Sequence, residues 1–184
     1  MRTILPQEKN PVLRDTAKDI PVADIKGKHV RSLIADMKKL LNKEQYGVAL
    51  AAPQVGESVR LFIVSGRALA RDSRNAPDEE ERGEKKPEPA PLPDQIYINP
   101  VLTKLSRAKS DKHEGCLSIR GKWGEVPRAE KATIRAYDEE GRKFTRGASG
   151  FLAHVFQHEM DHLDGILYID KATHLYDESE EQSD

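Results

Sequence analysis

The run His158-Glu159-Met160-Asp161-His162 constrains this chain more than any other feature. Two histidines four residues apart lie on one face of a helix, where both imidazoles can reach one metal ion. The neighbourhood agrees with a helix. Apolar Phe151, Leu152, Val155 and Leu163 recur at helical steps from Ser149 onward, and Gly165 stands where a helix would end. Glu159 is not spent on the ion, so it is free to take a proton from water and give it to a leaving amine.

Two imidazoles leave a zinc-type site one protein ligand short. His154 shares the helix, but it is eight residues from His162, about 12 Å along the axis; we read it as a pocket or surface histidine. Downstream, Tyr168 occupies the position where one class of metalloprotease extends the motif to a third histidine. His174 is a conceivable ligand, although nothing around it predicts a rigid element. Upstream, Cys116 in Glu114-Gly115-Cys116-Leu117-Ser118 is the best candidate, and Gly115 permits the close backbone approach that a bound thiolate needs. It is the one cysteine in the chain, so no disulfide forms within it.

The rest of the sequence predicts an α+β fold: a strand-rich single domain over residues 1–176, with antiparallel sheets packed around a central metal-binding helix. Residues 24–43 carry Ile25, Val30, Leu33, Ile34, Met37, Leu40 and Leu41 in three-and-four steps, an N-terminal amphipathic helix with Asp24 as its N-cap. Strands are expected at Val59–Ser65, around Ile96–Ile98, and over Val126–Asp138. A turn at Glu139–Gly141 leads to a returning strand at Lys143–Thr145.

Charged residues make up 33% of the 184 and hydrophobic ones 37%. The excess charge concentrates in residues 71–93, read as a solvated surface insertion, and in the acidic tail 177–184, read as disordered. Net charge is −1, which excludes polyanion binding by charge alone and predicts no specific nucleic-acid site. The first residues lack the apolar run of a secretory signal, and no segment has the roughly 20 apolar residues of a membrane helix. The expectation is a cytoplasmic protein with no membrane partner.

Three ordered segments then resemble one family, the peptide deformylases: Gly47–Gln54 (GVALAAPQ), Glu114–Ser118 (EGCLS) and Gln157–Gly165 (QHEMDHLDG). Asn10–Arg14 and Val126–Arg128 extend the likeness, which covers roughly residues 3–170. The resemblance implies removal of the N-terminal formyl group from formyl-methionyl nascent polypeptides during translation, in transient contact with the ribosome. It implies one divalent ion on Cys116, His158 and His162. Ferrous iron is the expected ion, with zinc, nickel or cobalt as alternatives. Glu159 is the implied general acid/base, with Gln54 and the Leu117 N–H as donors to the carbonyl oxygen. Val48, Ala49, Glu114, Phe151 and Val155 are the implied substrate contacts.

The chain also departs from the pattern. Ala49 replaces a usual glycine, Arg120 a frequent proline, and His154 an apolar residue. The acidic tail is unlike the basic helix with which some relatives dock on ribosomes, so weak tail-mediated docking is expected. Two other readings remain. One is an endopeptidase using His174 as third ligand; the other is a peptide-binding module disabled by the methyl group of Ala49.

Overall fold

The computed structural model describes residues 2–74 and 92–177. Most of the charged segment and the tail beyond Asp177 therefore lie outside the described residues.

Helix α1 (Lys28–Lys43) buries Val30, Leu33, Ile34, Met37 and Leu41, the stripe that its sequence announces. It starts four residues later than expected. Asp24 ends a short 3-10 turn and accepts a backbone hydrogen bond from Gly27, and Gly27 is the residue that precedes the helix. A side chain at Gly27 would press to 2.9 Å from the Asp24 carbonyl oxygen. This tight turn, not an aspartate cap, sets the boundary.

Five strands form one antiparallel sheet in the order β1-β2-β3-β6-β7: β1 (Ala49–Ala51), β2 (Leu61–Val64), β3 (Gln95–Leu105), β6 (Lys131–Tyr137) and β7 (Lys143–Ser149). A second sheet contains β4 (Lys109–Cys116), β5 (Ile119–Ala129) and β8 (His174–Asp177) in the order β4-β5-β8. Strand β2 is buried on both faces because alternate residues serve two cores. Phe62 and Val64 pack toward helix α3 (Gly150–Leu163), while Leu61 and Ile63 pack toward α1.

The expected strand 126–138 is two strands. Apolar alternation runs through Val126, Ala132, Ile134 and Ala136, so the sequence shows no break. Yet at Glu130 the chain leaves the three-stranded sheet and enters the five-stranded one. The hairpin β6–β7 turns as expected, with Gly141 at φ +74°. Residues 71–74 of the expected insertion belong to an unforeseen helix α2 (Gly66–Arg74). Strand β8, likewise unforeseen, places His174 on a defined element.

Helix α3 sits between the sheets and is buried nearly all round, polar Gln157, Glu159, Asp161 and His162 included. Its end is a Schellman motif: Ile166 N–H donates to Asp161 O at 2.9 Å and Gly165 N–H to His162 O at 3.4 Å. Gly165 has φ +74°, and a side chain there would meet the Arg14 carbonyl oxygen at 2.7 Å. Among the described residues, no helix is long and apolar enough to cross a membrane.

Candidate active site

Two elements bring the site together. Helix α3 presents His158 and His162, with ring centroids 4.9 Å apart. Strand β4 ends on Cys116, and a two-residue turn, Leu117–Ser118, leads into β5. The ligand atoms of Cys116, His158 and His162 all lie within 4.8 Å of one another, and Cys116 Sγ is 3.3 Å from His162 Nε2. Gly115 matters here for a reason beyond close approach. The Trp123 ring covers it, leaving only 3.0 Å to where a side chain would start.

Glu114 is a buried hub. Its Oε2 lies 2.7 Å from His158 Nδ1 and accepts from Arg128 NH2 at 3.0 Å. Its Oε1 accepts from Arg128 Nε at 2.6 Å and lies 3.0 Å from His154 Nε2. Arg128 also donates to Asp161 Oδ2 at 2.6 Å, and Lys171 to Asp161 Oδ1 at 2.6 Å. Burial alone would raise the Glu114 carboxyl, but bonds from His154, His158 and Arg128 outweigh it and hold the group well below the usual carboxylate range. Sequence reasoning set Glu114 against substrate; here its oxygens are taken up by these three residues. It missed Asp161 and Lys171 altogether and knew Arg128 only as part of a likeness. No periodicity or spacing announces that network.

Glu159 is 4% exposed, and its Oε2 has no hydrogen-bond partner among the described residues. Burial pushes its carboxyl up to about 7. Burial pushes His162 well below the ordinary histidine range, and the charge of His158 adds to this. His158 is also opposed by burial, but Cys116 and Glu114 outweigh that and raise it. His162 Nδ1 likewise lacks a partner among the described residues.

A thiolate and two imidazoles with converging atoms fit a divalent transition ion. The neutral His162 and the open oxygen of Glu159 beside them are consistent with one.

Gln54 sits in a 3-10 turn after β1. Its Oε1 accepts from Ala51 N–H at 2.8 Å, which turns Nε2 toward Cys116 Sγ and Ser118 Oγ, both at 3.4 Å. Asn10 Nδ2 braces the same turn by donating to Pro53 O at 2.7 Å. Strand β1 is an edge of its sheet, paired with β2 on one side. Ala49 has ordinary backbone, since Asn99 is the non-glycine residue with positive φ among those described. Ala49 is 8% exposed and belongs to the apolar cluster under α3, against which half-buried Val48 and Phe151 also pack and which includes Val155. His174 does not join the Cys116 group. It is exposed on β8, with Nδ1 3.9 Å from Glu125.

The family model for polypeptide deformylase matches residues 1–178. The chain belongs to this family. A peptide deformylase of Leptospira biflexa is 36% identical over 174 residues, covering 94% of this chain and 89% of that one. Another, from Desulforudis audaxviator, is 33% identical over 174 residues and covers 95% and 96%. The crystal structure of the Thermotoga maritima peptide deformylase superposes with a TM-score of 0.74 at 28% identity, covering 95% of this chain and 99% of that one. As in that family, the activity is metal-dependent hydrolysis. It removes the N-terminal formyl group of nascent formyl-methionyl polypeptides and releases formate.

Proposed function

We propose that Cys116, His158 and His162 hold the ion of this deformylase, that the ion is ferrous iron in the cell, and that Glu159 carries the protons of the reaction. The observation that supports this best is the convergence of three donor atoms beside a buried carboxylate with an open oxygen. Zinc, nickel and cobalt suit the same donors. When bound, the ion supplies Lewis acidity, which makes water a stronger acid and polarises a carbonyl.

The formyl peptide lies along the open edge of β1 as an added strand against Val48 and Ala49. Val48, Phe151 and Val155 give the methionine side chain an apolar wall. Gln54 Nε2 and the Leu117 N–H donate to the formyl oxygen as charge grows there; losing one such donor typically costs about 10²–10³ in rate. Glu159 takes a proton from the attacking water and returns it to the leaving amine. Its carboxyl near 7 suits both directions of transfer at neutral pH. Glu114, besides any contact with substrate, orients His158. The enzyme works in the cytoplasm on nascent chains, touching the ribosome transiently. A net charge of −1 supports weak rather than tight contact with RNA.

The test is formate release from a formyl-Met tripeptide by protein loaded with ferrous iron or nickel without oxygen. Glu159→Ala should abolish release, and the acetyl peptide should give no acetate. Undiminished turnover in Glu159→Ala, or full metal retention in Cys116→Ala, would overturn the assignment of roles.

A further inference from the structure

The three-stranded sheet carries a row of titratable side chains that formyl hydrolysis does not use. His113 on β4 is in register with Glu125 on β5, and Glu125 with His174 on β8, so the three stand side by side across the sheet. Strand alternation turns His113 away from its neighbour Glu114, which points into the buried hub. The row is accessible, with side chains 63%, 37% and 80% exposed. His113 Nε2 lies 3.7 Å from Glu125 Oε1, and His174 Nδ1 lies 3.9 Å from Glu125 Oε2. The other nitrogen of His113, Nδ1, is 2.6 Å from the Tyr176 hydroxyl.

We propose that His113, Glu125 and His174 form a second metal site, for one late first-row divalent ion of the zinc, copper(II) or nickel(II) class. Two imidazoles and a carboxylate are the donors such ions favour, whereas magnesium and calcium want oxygen alone. An oxygen partner on one ring nitrogen, with the other left toward the ion, is the usual way a protein orients a histidine ligand, and Tyr176 does this for His113. Bonds of about 2.0–2.1 Å place neighbouring donors roughly 3.3 Å apart, so each imidazole closes on the carboxylate by about half an ångström. Both rings also tilt inward over Glu125, and their exposure leaves room to do so. The filled site ties β8 through β5 to β4, the strand that ends on Cys116.

The experiment counts zinc bound per chain after equilibrium dialysis at micromolar free zinc. Intact protein should hold two ions. His113→Asn and His174→Asn should each hold one, with formate release within twofold of the parent, because neither residue belongs to the hydrolytic site. Cys116→Ala should lose the other ion and keep this one, so failure at one site is distinguishable from failure at the other. A single ion per intact chain, or a second ion kept by both histidine variants, would overturn the proposal.

Discussion

His158 Nδ1 lies 2.7 Å from Glu114 Oε2, and that contact faces the imidazole's other nitrogen toward Cys116 and His162. The ring belongs to α3 and the carboxylate to β4, so the tautomer of one proposed ligand is set by the strand that carries another. Replacing Glu114 with Gln should therefore weaken the ion about 10–100-fold, the usual cost of losing such a partner. Competition against a chromogenic chelator would measure it; unchanged affinity would remove Glu114 from this role.

Arg128 joins two buried carboxylates, Glu114 and Asp161. Arg128→Met leaves both without their cation and is expected to cost about 3–5 kcal/mol in urea unfolding of the metal-free protein. The same hub sets an acid limit. A carboxyl held below its unfolded value stabilises the fold above that unfolded value, and the contribution is lost as pH falls toward the folded one. Metal-free protein should thus keep its melting temperature from pH 7 to about 5 and lose it progressively below about 4. A melting temperature that stayed level down to pH 3 would contradict the low carboxyl.

Glu159 carries the opposite sign. Its carboxyl, at about 7 when folded against an ordinary 4.5, binds a proton more tightly in the native state. The fold is therefore penalised as pH rises from about 4.5 to 7, and the penalty is complete above that range. Metal-free Glu159→Gln should melt several degrees above the parent at pH 8 and level with it at pH 4. Equal melting at both values would show that the carboxyl is not raised.

Binding an ion to a raised His158 must expel a proton, because only the neutral ring can ligate. Apparent metal affinity should climb with pH until His158 is neutral. Titration calorimetry in two buffers of different ionisation enthalpy should then report proton release on binding. Identical heats in both buffers would contradict a protonated His158.

Gly165 closes the metal-binding helix with φ +74° against the Arg14 backbone. Gly165→Ala combines left-handed backbone with a contact that has nowhere to go, and should cost about 1–2 kcal/mol or more in chemical denaturation.

What the sequence determined by itself was local. The His158–His162 spacing demands a helix, the α1 stripe demands a core face, and Gly165 marks a helix end; each depends on residues a turn or two apart. The three-segment resemblance added the family and its activity. Tertiary structure decided what depends on residues far apart in the chain. It turned one apparent strand into two at Glu130, because alternation records burial but not which sheet supplies the hydrogen bonds. It moved the start of α1 from Asp24 to Lys28, because the turn at Gly27 leaves no room for a longer helix. It buried the Ala49 methyl under α3 and so removed the main argument for a disabled binding module. It also gathered Glu114, Arg128, His154, Asp161 and Lys171 into one network from two strands, a helix and a loop. No spacing rule joins those positions, since each is chosen for a charge that only the folded chain brings opposite its partner.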